Sequence, residues 1–170
     1  EVRDYPALIA AQVEAQGGQE EAVNDGFRLL AAYIFGGNTA RRSIAMTAPV
    51  VQTAGRGQSI AMTAPVVQTA RGDRWTVRFI MPRAWTMETL PTPNDPRVSL
   101  VPLPPSRMAV VRFSGLARPA EVARRTASLR AFITAHHLRA TGAPELARYD
   151  PPWTPWFMRR NEVMIPVTDA

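Results

Sequence analysis

Residues 19–38, QEEAVNDGFRLLAAYIFGGN, decide how the rest of the chain is read. Val23, Leu30, Tyr33 and Ile34 recur at helical spacing, so Gln19 to Phe35 is predicted as an amphipathic helix. Glu20 and Glu21 fall in its first turn, where the helix dipole favours acidic groups. Gly36-Gly37-Asn38 supplies the stop. Gly26 lies on the apolar face of this helix. A glycine there weakens the helix, so its missing side chain is expected to admit something close, either a strand or a flat ligand.

Upstream, Val2 to Ala15 alternates loosely and is predicted as a first strand, broken by Gly17-Gly18. Downstream, SIAMTAPVVQTA stands at 43–54 and again, letter for letter, at 59–70. Both copies are rich in β-branched residues, and Gly55-Arg56-Gly57-Gln58 joins them, which predicts a hairpin of two neighbouring strands. Pro49 and Pro65 cannot donate to a ladder and point to edges, bulges or bends. A local duplication is the simplest origin of the repeat. Trp75 to Met81 is a further strand, stopped by Pro82. Residues 89–107 carry Pro91, Pro93, Pro96, Pro102, Pro104 and Pro105 and read as a linker or rigid surface loop, with Val98 to Val101 extended.

Met108 to Phe113 is predicted as a strand closed by Ser114-Gly115, and Pro119 opens a second helix running to about Leu138. Val122, Leu129, Phe132, Ile133 and His136 form its apolar stripe. Glu145 to Tyr149 and Glu162 to Val167 are final strands around an aromatic, proline-rich loop at 150–157. The order strand, helix, strands, linker, strand, helix, strands is an α+β pattern with two similar halves. Two helices separated by strands argue against a doubly wound parallel sheet.

Composition narrows function. With 170 residues and 46% apolar content the chain suits one domain with a real core. No run approaches the 18 or so apolar residues of a membrane span. The first residues are no signal peptide and lack an initiator Met, so a trimmed chain is expected and the compartment stays undetermined. The absence of cysteine excludes disulfides, thiolate catalysis and zinc–thiolate sites. All 20 basic residues are arginine, which excludes a Schiff-base lysine. The net charge of +6 is spread out, without the dense basic stripe of a nucleic-acid surface, so no nucleic-acid partner is expected. No Ser-His-Asp order, metal-ligand spacing or phosphate loop appears, and no enzymatic activity is expected.

Residues 22–38, with Ile44-Ala-Met-Thr-Ala-Pro-Val50 and Arg148-Tyr-Asp-Pro-Pro-Trp-Thr-Pro-Trp-Phe-Met-Arg-Arg-Asn-Glu-Val-Met-Ile-Pro-Val167, resemble the SOUL heme-binding protein family. The resemblance spans Val2 to Val167, in motif order, and is of the bacterial type, in which Ile-Ala-Met-Thr-Ala-Pro-Val also occurs twice. It implies a single domain over residues 1–170, with pseudo-symmetric halves at about 1–88 and 97–170. The implied fold is a distorted antiparallel β-barrel or sheet with two flanking helices, akin to the effector-binding domains of gyrase-inhibitor-like proteins. The implied ligand is heme or a related tetrapyrrole, held non-covalently near the first helix, for carriage or buffering.

Heme needs an apolar slot, cations for its propionates and, optionally, an axial ligand. Phe27, Leu30, Tyr33 and Ile34 offer the slot, and Arg41 and Arg42 offer either a propionate clamp or a plain solvated pair. Met46 and Met62, matched in the two copies, offer thioether contacts to iron or soft packing. Where some animal members of the family carry a histidine near the first strand, this chain has Asp4, which is no good heme ligand. His136 is a weak candidate for the metal, beside the alternative of a core or helix-end histidine. Glu162 puts an acid into an apolar strand. It reads either as a surface or ion-paired residue beside Arg159 and Arg160, or as a cleft carboxylate with Tyr149 and Trp153. In the second case it would serve a sensor or hydrolase, contacting a cationic aromatic ligand or acting as a base with a raised pKa. A third reading makes the loop at 150–157, with Trp153 and Trp156, a protein-interaction surface.

Overall fold

The computed structural model describes residues 1–40, 66–71, 74–150 and 154–170. In chain order its elements are β1 (Val2–Tyr5), β2 (Leu8–Gln16), α1 (Gln19–Ile34), β3 (Asn38–Thr39), β4 (Val66–Arg71), β5 (Arg74–Ile80) and β6 (Thr92–Pro93). There follow β7 (Ser99–Leu103), β8 (Ser106–Ser114), α2 (Pro119–Ala135), β9 (Leu138–Ala140), β10 (Glu145–Arg148), a 3₁₀ turn (Trp156–Met158) and β11 (Arg160–Asp169). The main sheet runs β1-β8-β11-β10-β4-β5-β2-β7, with β9 added on β11, and every ladder among the described residues is antiparallel. It curls into a half-barrel flanked by the two helices. The α+β class and the antiparallel sheet are as the sequence predicts.

The strand order reads alike from either end. β2 and β8 each precede a helix, and each takes an outer neighbour from the other half: β7 lies beside β2, and β1 beside β8. This exchange corrects the first strand. Val2 to Ala15 is not one strand, because the chain leaves β8 after Tyr5, passes Pro6-Ala7 and joins β5 and β7 as β2. The hairpin predicted for the two repeat copies lies outside the described residues, save for Val66 to Ala70 of the second copy. Val66 to Thr69, in the second copy, has both edges taken, by β5 and β10. The first copy lies outside the described residues.

Each helix covers one half of one sheet face. α1 packs on β2 and β5, where Leu30, Tyr33 and Ile34 meet Ala11, Val13, Val77 and Phe79. Gly26 is the contact point: a Cβ there would stand 2.9 Å from a Val77 methyl, so the glycine admits a strand. The helix stops because Gly36 takes a φ of +115°, which a side chain disfavours. The proline-rich segment is no loose linker. Leu90 and Pro91 are buried in the α1 core, and the Tyr33 hydroxyl donates to the Pro91 carbonyl at 2.9 Å. α2 lays Leu129 and Ile133 on Phe113, Val163 and Ile165. It ends at Ala135, short of the expected Leu138, because His137 adopts a φ of +52° and turns the chain into β9.

Candidate functional site

Side chains directly opposite in a ladder share a sheet face. One row crosses the sheet as Gln12, Arg78, Val67, Ala147, Glu162 and Arg112. Val77 and Val163, one residue off this row, pack beneath α1 and α2. The row therefore lies on the face turned away from both helices. Val67, Val110, Ala147 and Met164 form its apolar floor, with Tyr5, Ile80, Met108 and Tyr149 half-buried around them.

Glu162 sits on this floor, 0% exposed. Arg3 Nη1 donates to both carboxylate oxygens, at 3.1 and 3.0 Å. Arg160 donates to Oε1 from Nη2 at 2.6 Å and from Nε at 3.2 Å. The Tyr149 hydroxyl donates to Oε2 at 2.6 Å, and the Arg160 guanidinium lies 4.3 Å from the Tyr149 ring centre. Burial opposes ionisation of Glu162, but the hydrogen bonds from Tyr149, Arg160 and Arg3 together outweigh it and hold the carboxyl below the usual range. Burial, then the adjacent carboxylate, push the Tyr149 phenol up. The carboxylate has its acceptor sites filled by two guanidiniums and a neutral phenol, so it offers little to a cationic ligand and makes a weak base at neutral pH.

The sequence foresees part of this. An ion pair of Glu162 with Arg160 and proximity to Tyr149 are both present; the surface-facing placement and the raised pKa are not. Arg3 carries no signal in the sequence, because it reaches Glu162 only through the exchange of β1 onto β8.

The tetrapyrrole residues fall into three groups. Leu30, Tyr33 and Ile34 are buried in the α1 core and form a wall behind the helix surface. Phe27 is half-buried, edge-on to Phe79 at 5.3 Å, and Phe35, two turns on, is 67% exposed. Arg41, Arg42, Met46, Met62 and Trp153 lie outside the described residues. His136 is exposed at the end of α2, its ring 4.1 Å from that of Phe132; it is a helix-end residue, not a core one. Among the described residues no three His, Asp or Glu side chains gather as a metal site. A cleft of about 310 Å³ lies at the start of β2 and just past the end of β5, between Pro6, Leu8, Ile9, Met81 and Trp85. That volume is at the lower end for small-molecule pockets.

The SOUL heme-binding protein family model matches residues 1–166. The chain belongs to that family. No curated protein matches it in sequence. In structure, this SOUL domain is similar to the EcmrR C-terminal domain, with a TM-score of 0.70 at 9% identity, covering 100% of this chain and 97% of that one. It is also similar to a hydrolase from Listeria innocua, with a TM-score of 0.59 at 15% identity, covering 99% and 91%. EcmrR in a DNA complex matches at 0.67 and 10% identity, over 100% of this chain and 57% of that one. At such identities these likenesses establish the shared fold alone.

The family's ligand class can be set against the residues present. The half-buried Phe27 and exposed Phe35 give α1 an aromatic edge suited to the face of a flat ring. The two histidines of the chain, at 136 and 137, both stand at the end of α2, so α1 and its strands offer no imidazole to iron. The fit is to the ring rather than to a histidine-ligated metal.

Proposed function

We propose that this SOUL domain binds heme or a related tetrapyrrole non-covalently along α1, as a carrier or buffer. The observation that carries the reading is Phe35, 67% exposed at the end of α1 and two helical turns from the half-buried Phe27. Its exposed ring, with the buried Leu30, Tyr33 and Ile34 forming the packed side of the same helix, offers a stacking face to a flat apolar partner. Arg41 and Arg42 follow shortly in sequence and supply cations for propionates. Met46 and Met62 would supply thioether contacts to the ring or its iron. When bound, heme would supply the redox-active iron; the chain's part is to bind and orient the ring.

Hemin titration of a Phe35→Ala variant tests this. Covering an aromatic side chain is worth about 1.5–3 kcal/mol, so affinity should fall roughly tenfold or more. Unchanged affinity in that variant would remove α1 from the site.

A second reading, a protein-interaction surface at 150–157, draws support from Trp156 and Phe157, each 60% exposed. The reading of Glu162 as a hydrolytic base or cation receptor loses support, because its carboxylate is paired and its pKa lowered.

A further inference from the structure

At one end of the sheet, Trp156, Phe157 and Met158 project from the 3₁₀ turn, 60%, 60% and 63% exposed. The turn after β8 lies against it: Gly115 N–H donates to the Arg159 carbonyl at 3.1 Å, and the exposed Leu116 follows. Taking 150–250 Å² for a large side chain, the three projecting residues leave roughly 400 Å² of mostly apolar surface in water. A stable protein interface takes about 800 Å² per partner, so this tip is small for one.

Its surroundings are cationic. Arg112 and Arg148 lie near the ends of β8 and β10 at this edge, and Arg118 caps α2 just beyond Leu116. All three are exposed, and among the described residues none makes a side-chain hydrogen bond or ion pair. The acids of the same end are engaged. Glu162 holds Arg3 and Arg160, Asp150 accepts from the Arg160 N–H, and Glu121 holds Arg124 and Arg125. The result is a protruding Trp-Phe-Met tip at a sheet end that carries Arg112 on one face and Arg148 on the other, neither of them in an ion pair among the described residues.

We infer that this end of the molecule docks on an anionic lipid surface, with Trp156, Phe157 and Met158 entering the interfacial region and Arg112, Arg118 and Arg148 meeting the headgroups. Tryptophan and phenylalanine suit the boundary between headgroups and chains. Each arginine near an anionic leaflet is worth about fivefold in partitioning. The inference does not depend on tetrapyrrole binding.

Co-sedimentation with vesicles of phosphatidylcholine alone, and with about one-third phosphatidylserine, tests it in moderate salt. Binding should require the anionic lipid and fall steeply as salt rises. A Trp156→Ala/Phe157→Ala variant should bind at least tenfold more weakly, and an Arg112→Gln/Arg118→Gln/Arg148→Gln variant roughly a hundredfold. All five positions are exposed or edge positions, and unchanged thermal unfolding would show that the variants fold. No binding to anionic vesicles, or equal binding by the aromatic variant, would overturn the inference. So would a concentration-dependent dimer in ultracentrifugation that the aromatic variant abolishes, because the tip would then be covered by a second copy.

Discussion

Glu162→Gln should destabilise the protein by about 2 kcal/mol. The wild-type carboxylate is fully buried and held by Arg3, Arg160 and Tyr149. Removing one member of a buried ion pair costs about 3–5 kcal/mol when the remaining charge stays buried. Here the side chains of Arg3 and Arg160 keep 27% and 38% of their surface in water, so solvent recovers part of that loss. Glutamine retains the side-chain volume and one acceptor, which lowers the cost again. For a chain of 170 residues, 2 kcal/mol corresponds to a fall of roughly 4–8 °C in Tm. Thermal and urea unfolding at pH 7 measure it. The same residue fixes a pH dependence. Its folded pKa lies below the ordinary glutamate value of 4.5, so its contribution is present above that value and lost as pH falls through the lowered folded pKa. The stability gap between wild type and Glu162→Gln should therefore be full at neutral pH and narrow under acid, as pH falls through the lowered folded pKa. A variant within 0.5 kcal/mol of wild type at pH 7, or a gap that widens under acid, would refute the network as described.

Gly26→Ala should cost about 1 kcal/mol in urea unfolding, since its Cβ meets a Val77 methyl at 2.9 Å and the overpacking exceeds the gain in helix propensity. Adding Val77→Ala should make the Gly26→Ala change neutral or favourable, which a double-mutant cycle reads. Tyr33→Phe should lose about 1–2 kcal/mol, because the buried Pro91 carbonyl loses its 2.9 Å donor; a loss under 0.3 kcal/mol in the same assay would contradict this. Tyr149→Phe removes one of the donors that lower the Glu162 pKa, so its acid unfolding midpoint should move to higher pH.

Some of this architecture is legible in the sequence and some is not, for physical reasons. A glycine on the apolar stripe of a helix has few uses, so Gly26 announces a close contact, with a strand or a flat ligand, and the structure supplies the strand. Helix starts are legible where Pro119 stands, and strand bodies where β-branched residues cluster, as in Val66 to Arg71. The exchange of β1 onto β8 is not legible. Val2 to Ala15 alternates through Pro6-Ala7, and nothing local says that Tyr5 and Leu8 belong to different neighbours. That exchange brings Arg3 to Glu162 across 159 residues, so the central ion pair could be read only from the Arg160 side. His136 misleads because helical spacing places it on the apolar stripe, while the helix ends there and leaves its ring in water. The exposed Trp156-Phe157-Met158 tip carries the composition of a core, and only its place on a turn reveals it as surface.

The central claim is that a tetrapyrrole is recognised by its ring along α1, without help from a histidine. The most direct test is a parallel titration of the wild-type chain with hemin and with iron-free protoporphyrin. Both should saturate at one ring per chain, with affinities within about tenfold of each other and a parallel loss in Phe35→Ala. Absence of saturable binding, or hemin binding that vanishes without iron and is abolished in His136→Ala, would contradict it.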